Sequence, residues 1–385
     1  MKNIKIKSLG PIENADVNFG DLTLLVGPQA SGKSIFIQML KLIVDKKHIR
    51  KTLEQYNFVW SKDSDKLLDL FFGDGMHGIW KEQTEILYDT EIIDKDYWIP
   101  KQGEKYRSFE ELMFYIPAQR ILSIADGRPK YFTEFDESVP YVLRYFSETL
   151  RQLMQTEIGT EGSIFPLSRL RIKASLQNSF NESIFHNGKI VLKNISGQRK
   201  LRMQINGLDI PFMTWSAGQK EFMPLLLSFY WLCTSAKISR RDEIKYVVIE
   251  EPEMGLHPQA IKSVILQIID LLSRDYKVIV STHSPVFLEF TWAFNLLKQS
   301  KVSSDSLFEL FDIKRTTPTK RLFENVIENK TINTYFFDRE NDKVNVKDIS
   351  SLDAGSENES ISNWGGLSEF SGRAADIVSK YYSED

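Results

Sequence analysis

A chain of 385 residues with 42% hydrophobic and 26% charged residues is long enough for two or three packed units and has an ordinary globular composition. A single cysteine, Cys233, excludes an internal disulfide framework. The most apolar run, residues 223–233, is shorter than the roughly 20 residues a membrane span requires, and the N-terminus enters a strand pattern with no signal-peptide core, so the expected location is cytoplasmic with no membrane partner. A net charge of −3 gives no global attraction to nucleic acid and leaves only a local basic face for that role.

Three short strands open the chain at residues 4–8, 15–19 and 22–26, the first two joined by a Gly10-Pro11 turn. The third, Leu22-Thr23-Leu24-Leu25-Val26, has the all-apolar character of a buried strand and runs into Gly27-Pro28-Gln29-Ala30-Ser31-Gly32-Lys33-Ser34, which has the form G-x-x-x-x-G-K-[ST]. A helix from Lys33 to about Asp45 follows. Strand, glycine loop and helix start in that order predict a phosphate-binding site. A phosphate chain would sit on the N–H groups of residues 30–34 at the positive helix end, Lys33 would reach the β- and γ-phosphates, and the Ser34 hydroxyl would ligate Mg²⁺.

Residues 46–112 mix aromatic and charged side chains without a period and read as an insertion of strands and short helices. A strand over 112–116 ends at Pro117-Ala118-Gln119-Arg120. Helical spacing returns over 138–155 and 168–180. Strands at 189–191 and 201–205 pair as a hairpin around Gly197, and Asn206-Gly207 turns the chain into Ile210-Pro211-Phe212. Trp215-Ser216-Ala217-Gly218-Gln219 then precedes an apolar helix from Phe222.

Apolar strands at 246–249 and 278–280 flank a helix over 258–273; they end in Glu250-Glu251-Pro252-Glu253 and Ser281-Thr282-His283-Ser284-Pro285. Beyond Ile313 the pattern changes to a hairpin (334–339 and 343–348), a polar loop (351–362) and a last helix (367–382). Buried strands alternating with helices predict a parallel sheet covered on both faces. There is no internal repeat and no sustained heptad.

Consecutive side chains at a strand end point to opposite sides, so Glu250 is placed to serve a metal and Glu251 to polarise water. Alone, that pair would suit an ordinary strand-end turn, Ser216-Ala217-Gly218 a plain helix cap, and His283 a satisfied histidine. Their occurrence together, in a fixed order behind a phosphate loop, argues for a nucleotide site.

The segments 27–34, 215–219, 250–253 and 281–284 resemble the P-loop, signature motif, Walker B motif and switch histidine of ABC-type ATPases, closest to the soluble branch that holds the SMC, RecF and OLD-like proteins. The phrases Tyr115-Ile116-Pro117-Ala118-Gln119-Arg120 and Glu250-Glu251-Pro252-Glu253-Met254-Gly255-Leu256-His257-Pro258 are similar to the OLD-like group in particular. The resemblance implies an α/β ABC-type ATPase head with a mixed-sheet core, an N-terminal β subdomain and an inserted helical subdomain. The implied units are residues 1–120, 121–188 (helical), 189–313 and 314–385 (hairpin and helix).

The resemblance further implies ATP and Mg²⁺ as cofactors. Gly27, Pro28, Gln29, Ala30, Ser31, Gly32, Lys33, Ser34 and Ile35 would hold the nucleotide, with Gln119 as the Q-loop glutamine. Ser34, Glu250 and Gln119 would serve the metal, and Lys33, Glu251 and His283 the reaction. Ser216, Ala217, Gly218 and Gln219 would bind the nucleotide of a second subunit. The chain departs from the pattern at Trp215 (usually leucine), Ala217 (glycine), Glu250 (often aspartate) and His257 (the usual D-loop aspartate), and Arg120 is an alternative to Gln119 for facing phosphate.

The expected function is Mg²⁺-dependent ATP hydrolysis at a head-to-tail homodimer interface, used as a switch over a separate effector, a nuclease or toxin, in bacterial anti-phage defence. The alternative is a DNA-repair clamp of RecF/SMC type, with Arg144, Arg151, Arg169, Arg171 and Lys173 as candidate DNA contacts. Asp338, Glu340, Asp342, Asp348 and Asp353 read as solvated turn acids and not as a second catalytic set. A transporter subunit is disfavoured by the Glu-Pro-Glu phrase, the insertion before Gln119 and the lack of a spanning segment.

Overall fold

The computed structural model describes residues 1–99, 110–158, 162–167, 172–233, 241, 243–300, 303–367 and 369–381. The N-terminal part runs β1 (Asn3–Leu9), β2 (Ile12–Asn18), β3 (Leu22–Val26), α1 (Lys33–Gln55), α2 (Ser64–Phe72), β4 (Trp80–Tyr88), β5 (Glu91–Ile93) and β6 (Met113–Ile116). The middle part holds β7 (Ile124–Ala125), β8 (Arg128–Pro129), α3 (Tyr141–Gln152), β9 (Gly162–Phe165), α4 (Ala174–Phe180), β10 (Lys189–Ile195), β11 (Gln198–Ile205) and β12 (Leu208–Pro211). There follow α5 (Ala217–Leu232), β13 (Tyr246–Glu250), α6 (Pro258–Ser273), β14 (Lys277–Thr282), α7 (Pro285–Gln299), α8 (Asp305–Phe311) and α9 (Thr317–Asn329). The chain closes with β15 (Ile332–Glu340), β16 (Lys343–Asp348), α10 (Glu359–Ser362) and α11 (Glu369–Tyr381).

Ten strands form one mixed sheet in the order β5-β4-β1-β2-β16-β15-β3-β14-β13-β6, and β12-β11-β10-β9 form a separate antiparallel sheet. From β15 to β6 the neighbours are all parallel. The period-2 rule for strands explains how this parallel part is buried. Leu22, Leu24, Val26, Phe114, Ile116, Val247, Ile249, Val278 and Val280 pack on one face with α5, α6, α7 and α9. Leu25, Met113, Tyr115, Val248 and Ile279 pack on the other with Phe36, Ile37 and Leu40 of α1. Each fully buried Leu, Ile or Phe contributes about 1.5–3 kcal/mol of transfer free energy. Apolar residues on both faces are why these strands read as unbroken apolar runs.

Several elements differ from the sequence expectation. The helix after the phosphate loop does not end at Asp45. It bends there, at φ −114°, ψ 20°, and continues to Gln55. The cause is the Asp45 carboxylate, which accepts the Leu112 and Met113 N–H groups at 2.8 and 3.1 Å and the Lys41 ammonium at 2.7 Å. The apolar helix expected from Phe222 begins at Ala217, because Ser216 caps it. The helix expected over 168–180 is seen from Ala174, while residues 168–171 lie outside the described residues.

Three helices, α7, α8 and α9, occupy residues 285–329, where no helix was expected. Their caps are nevertheless present: the side chains of Ser284 and Thr316 accept from Val286 and Thr319, with Pro285 and Pro318 in the first turns. The hairpin expected near 334–348 forms as β15 and β16, and it sits inside the large sheet, with β15 directly beside β3.

Candidate nucleotide site

The carboxyl ends of β3, β14, β13 and β6 are neighbours, since Thr282 pairs with Val26, Glu250 with Ser281 and Ile249 with Ile116. Such an edge of a parallel sheet is where open α/β folds bind ligands. Every chain segment leaving this edge carries one of the expected motifs.

The loop after β3 is set by two contacts. Gly27 has φ 147°, and a Cβ there would stand 2.7 Å from the Phe337 carbonyl of β15, so only glycine fits. On the far side, Arg339 donates from Nη1 to the Ala30 carbonyl at 3.0 Å; Ala30 itself holds a left-handed φ of 57°. Pro28, Gln29, Ala30 and Ser34 are exposed, while Ser31 and Lys33 are buried. Ile35 turns inward toward Gly10, so it offers only its backbone. Lys33 curls back over the loop, its ammonium donating to the carbonyls of Gly27 (2.9 Å) and Pro28 (2.8 Å) and to Ser31 Oγ (3.2 Å). Burial brings its pKa down to about 8, against the pull of Glu251, Glu253 and Glu250.

Glu250 and Glu251 diverge. Glu250 is 4% exposed; its Oε2 accepts the Ala118 N–H at 3.3 Å, Ser34 and Tyr115 lie beside it, and its Oε1 has no hydrogen-bond partner. Burial pushes its carboxyl up, partly opposed by Ser34 and Ala118. Glu251 has a left-handed φ of 42°, unusual for a residue with a Cβ, fixed by its N–H donating to the Ser281 carbonyl at 2.8 Å. Its Oε1 is 3.5 Å from His283 Nε2, and that contact holds its carboxyl below the usual range.

Glu253 was only part of a phrase in the sequence. Here it anchors the end of β14: its Oε1 accepts from the Thr282 hydroxyl (2.8 Å) and the His283 N–H (2.6 Å). An acid two residues past the strand-end pair was the signal. Arg339 had none, being 309 positions from the residue it holds.

The alternative of a phosphate-facing Arg120 is corrected. Its guanidinium is fully buried and donates to the carbonyls of Glu221 (3.1 Å), Glu250 (3.1 Å) and Glu251 (3.2 Å), with Ala118 and Pro252 at 3.5 Å. It is a clamp on the turn that carries the acids. Gln119 beside it is exposed and opens a short 3-10 turn.

Ser216 and Gln219 form a reciprocal cap at the start of α5: Ser216 Oγ accepts the Gln219 N–H (3.3 Å) and Gln219 Oε1 accepts the Ser216 N–H (3.2 Å). The Gln219 amide also donates to the Ile184 carbonyl at 3.1 Å. Ser216 and Ala217 are exposed. Gly218 packs against the turn after Glu253: a Cβ there would lie 2.6 Å from the Gly255 carbonyl. Among the described residues, none of residues 216–219 hydrogen-bonds to residues 27–35. His257 caps α6, its Nδ1 accepting the Gln259 N–H at 3.4 Å.

Of the candidate DNA contacts, the three among the described residues are each engaged within the chain. Arg144 is buried, donates to the Leu70 carbonyl and lies over the rings of Phe58 and Phe132. Lys173 pairs with buried Asp270, and Arg151 with Glu148. Arg169 and Arg171 lie outside the described residues. In the C-terminal hairpin Asp338 and Glu340 face Lys347, while Asp348 and Asp353 cap local turns. Among the described residues no group of three or more His, Cys, Asp or Glu side chains is placed to hold a metal, and no helix is long and apolar enough to cross a membrane.

Residues 173–289, which include the segments 215–219, 250–253 and 281–284, match a family described as "AAA domain, putative AbiEii toxin, Type IV TA system". Over that stretch the chain is similar to this AAA domain family. The matched stretch is under a third of the chain, and no protein of curated function matches.

Among solved structures, the chain is 12% identical to an SMC head bound to the C-winged helix domain of ScpA, over 90% of this chain and 96% of that one, with a TM-score of 0.40. It is 11% identical to the SMC head domain from Thermotoga maritima, over 90% and 98%, with a TM-score of 0.36. A dimeric ATP-binding cassette in a post-hydrolysis state with ADP and Pi is 11% identical, over 73% and 88%, at 0.33.

Proposed function

We propose that this chain is a Mg²⁺-dependent ATP hydrolase whose reaction centre is completed by a second copy of itself. The resulting open and closed states would switch a separate effector, as in OLD-like ATPases of bacterial anti-phage defence. One observation carries the reading. Lys33, Glu250, Glu251 and His283 converge at one sheet edge, while the capped, exposed start of α5 has no bond to the loop of its own chain. A helix N-terminus with unspent N–H groups favours an anion, and the phosphate chain on a partner would supply it.

The residues fit the implied ligands. The exposed rim 28–30 and Ser34 leave room for phosphates above the helix start, and Lys33 already points its ammonium into that loop. Glu250 Oε1, buried and without a partner beside Ser34, suits a cation. Ser34 and Glu250 would hold Mg²⁺, whose remaining ligands come from phosphate and water, as is usual for this ion. When bound, the ion offsets charge on the phosphates. Glu251, held ionised by His283, would take the proton of the attacking water at a carboxylate oxygen.

Sedimentation of the purified chain with Mg²⁺ and a non-hydrolysable ATP analogue tests this. The expected result is a dimer, lost in Ser216→Arg, whose turnover also falls while a single chain still binds nucleotide. A strictly monomeric protein that hydrolyses ATP at a specific rate independent of its concentration would overturn the reading.

A further inference from the structure

We infer that Glu253 is a positioning residue of this site, acting through the His283 backbone to set the imidazole against Glu251; the inference rests on the hydrolase reading above. The geometry is a short network that ends on one carboxylate oxygen. Ser284 N–H donates to Thr282 Oγ1 at 3.0 Å, and the Thr282 hydroxyl donates onward to Glu253 Oε1 at 2.8 Å. His283 N–H meets the same oxygen at 2.6 Å. The turn that leaves β14 therefore has two consecutive N–H groups satisfied, one directly and one through Thr282, by a side chain from the loop after β13.

Two further features fix the carboxylate. Thr282 is fully buried, so its hydroxyl has no water as an alternative partner. The Glu253 backbone closes a tight turn, its carbonyl accepting the Leu256 N–H at 2.9 Å. The other carboxylate oxygen, Oε2, is buried and has no hydrogen-bond partner, so the bonds from Thr282 and His283 both fall on Oε1. A carboxylate with one buried oxygen left unbonded is costly to keep for packing alone. Its return is a fixed His283, and with it the 3.5 Å approach of that ring to Glu251.

Two bonds from consecutive residues of one turn onto a single oxygen hold that backbone in place. Loss of the grip would let the ring drift by a fraction of an ångström to an ångström, a displacement that can cost up to about 100-fold in rate.

The test measures ATP turnover and hydrogen exchange in parallel. Glu253→Ala is expected to lower kcat about tenfold or more with KM for ATP little changed, and Glu253→Gln, whose amide oxygen still accepts both bonds, to recover most of the loss. In a His283→Ala background the Glu253→Ala effect should vanish, because both variants remove the same contact. Thr282→Val supplies a milder variant that leaves the acid in place, and should show a smaller fall in kcat. Deuterium uptake at the His283 amide should rise in Glu253→Ala.

An equal loss of kcat in the His283→Ala background, or a rise in KM alone, would overturn the inference. If the unaltered chain does not turn over ATP, the hydrolase reading fails, while amide exchange at His283 still decides whether Glu253 holds that backbone.

Discussion

Glu251 meets His283 across the ends of two neighbouring parallel strands, Oε1 to Nε2 at 3.5 Å, and it does so from a left-handed backbone at φ 42°. Strain of this type costs about 1–3 kcal/mol and persists where the surroundings over-determine it. Here the Arg120 guanidinium holds the carbonyls of Glu250 and Glu251 from one side, and the Ser281 carbonyl holds the Glu251 N–H from the other. The carboxylate is thereby aimed at the imidazole.

Replacing Glu251 by Gln keeps that shape and removes the proton acceptor. Turnover should fall by about 10²–10⁴, the range for loss of a general base. Nucleotide affinity should be retained and the dimer should persist with ATP. Steady-state turnover and sedimentation check this; wild-type turnover would remove Glu251 from its assigned role.

Lys33→Met should separate binding from folding. Loss of a charge-assisted contact to phosphate costs about 1.5–3 kcal/mol, or about 10- to 150-fold in affinity. Stability should not fall with it. Burial lowers the Lys33 pKa from 10.5 to about 8, so between those pH values the unfolded chain binds more protons and folding grows more favourable as pH rises. Below pH 8 the buried ammonium therefore weighs against the fold, and methionine relieves that cost. The expected nucleotide-free Tm is equal to or above wild type by scanning fluorimetry, alongside weak ATP binding by calorimetry. A large drop in Tm would mean that the bonds to Gly27, Pro28 and Ser31 outweigh the desolvation.

The parallel strands, the glycine loop between β3 and α1 and the ends of α6 were legible because each rests on local chemistry: apolar runs, glycine spacing and a His257-Pro258 helix start. What stayed hidden depends on partners distant in sequence. Nothing near Arg339 says that it holds Ala30, and nothing near Arg120 distinguishes an arginine facing phosphate from one spent on buried carbonyls. Arg144 reads as a helix-face cation until Phe58 and Phe132 close over it. The bend at Asp45 was missed for a similar reason, since its cause lies in the edge strand β6. Helices α7 and α9 were missed in spite of good caps, so for them the local signal was present and unread.

The bend itself gives a stability prediction. Lys41 is buried between Asp45 Oδ2 (2.7 Å) and Glu111 Oε1 (2.8 Å), and also donates to the Met113 carbonyl. Lys41→Met leaves two buried carboxylates without their cation, at a cost of about 3–5 kcal/mol. Burial acts to lower the Lys41 pKa, but the two acids more than offset it and leave it raised above 10.5. Its contribution is therefore fully present below pH 10.5 and is lost as pH rises through the folded value. Urea unfolding of both proteins should give a gap for this lysine that is steady from pH 7 to 9 and narrows only above 10.5. A gap that closes already at pH 8 would contradict the triad.

Gly218→Ala tests how the signature turn is seated. In the first turn of a helix, Gly to Ala ordinarily stabilises, by up to about 1 kcal/mol in an exposed helix interior. At Gly218 the new Cβ would stand 2.6 Å from the Gly255 carbonyl, far inside any real contact, so the start of α5 and the turn after Glu253 must separate. The expected outcome is a loss of about 1–3 kcal/mol, as for other overpacked sites, and reduced ATP turnover from displacement of Ser216. Gly78→Ala is the control, because a Cβ there meets nothing within 4 Å. Equal Tm values for the two variants would show that the signature turn yields without resistance. A fall in Tm and turnover confined to Gly218→Ala would show that the close approach of Gly218 and Gly255 holds the exposed end of α5 in place.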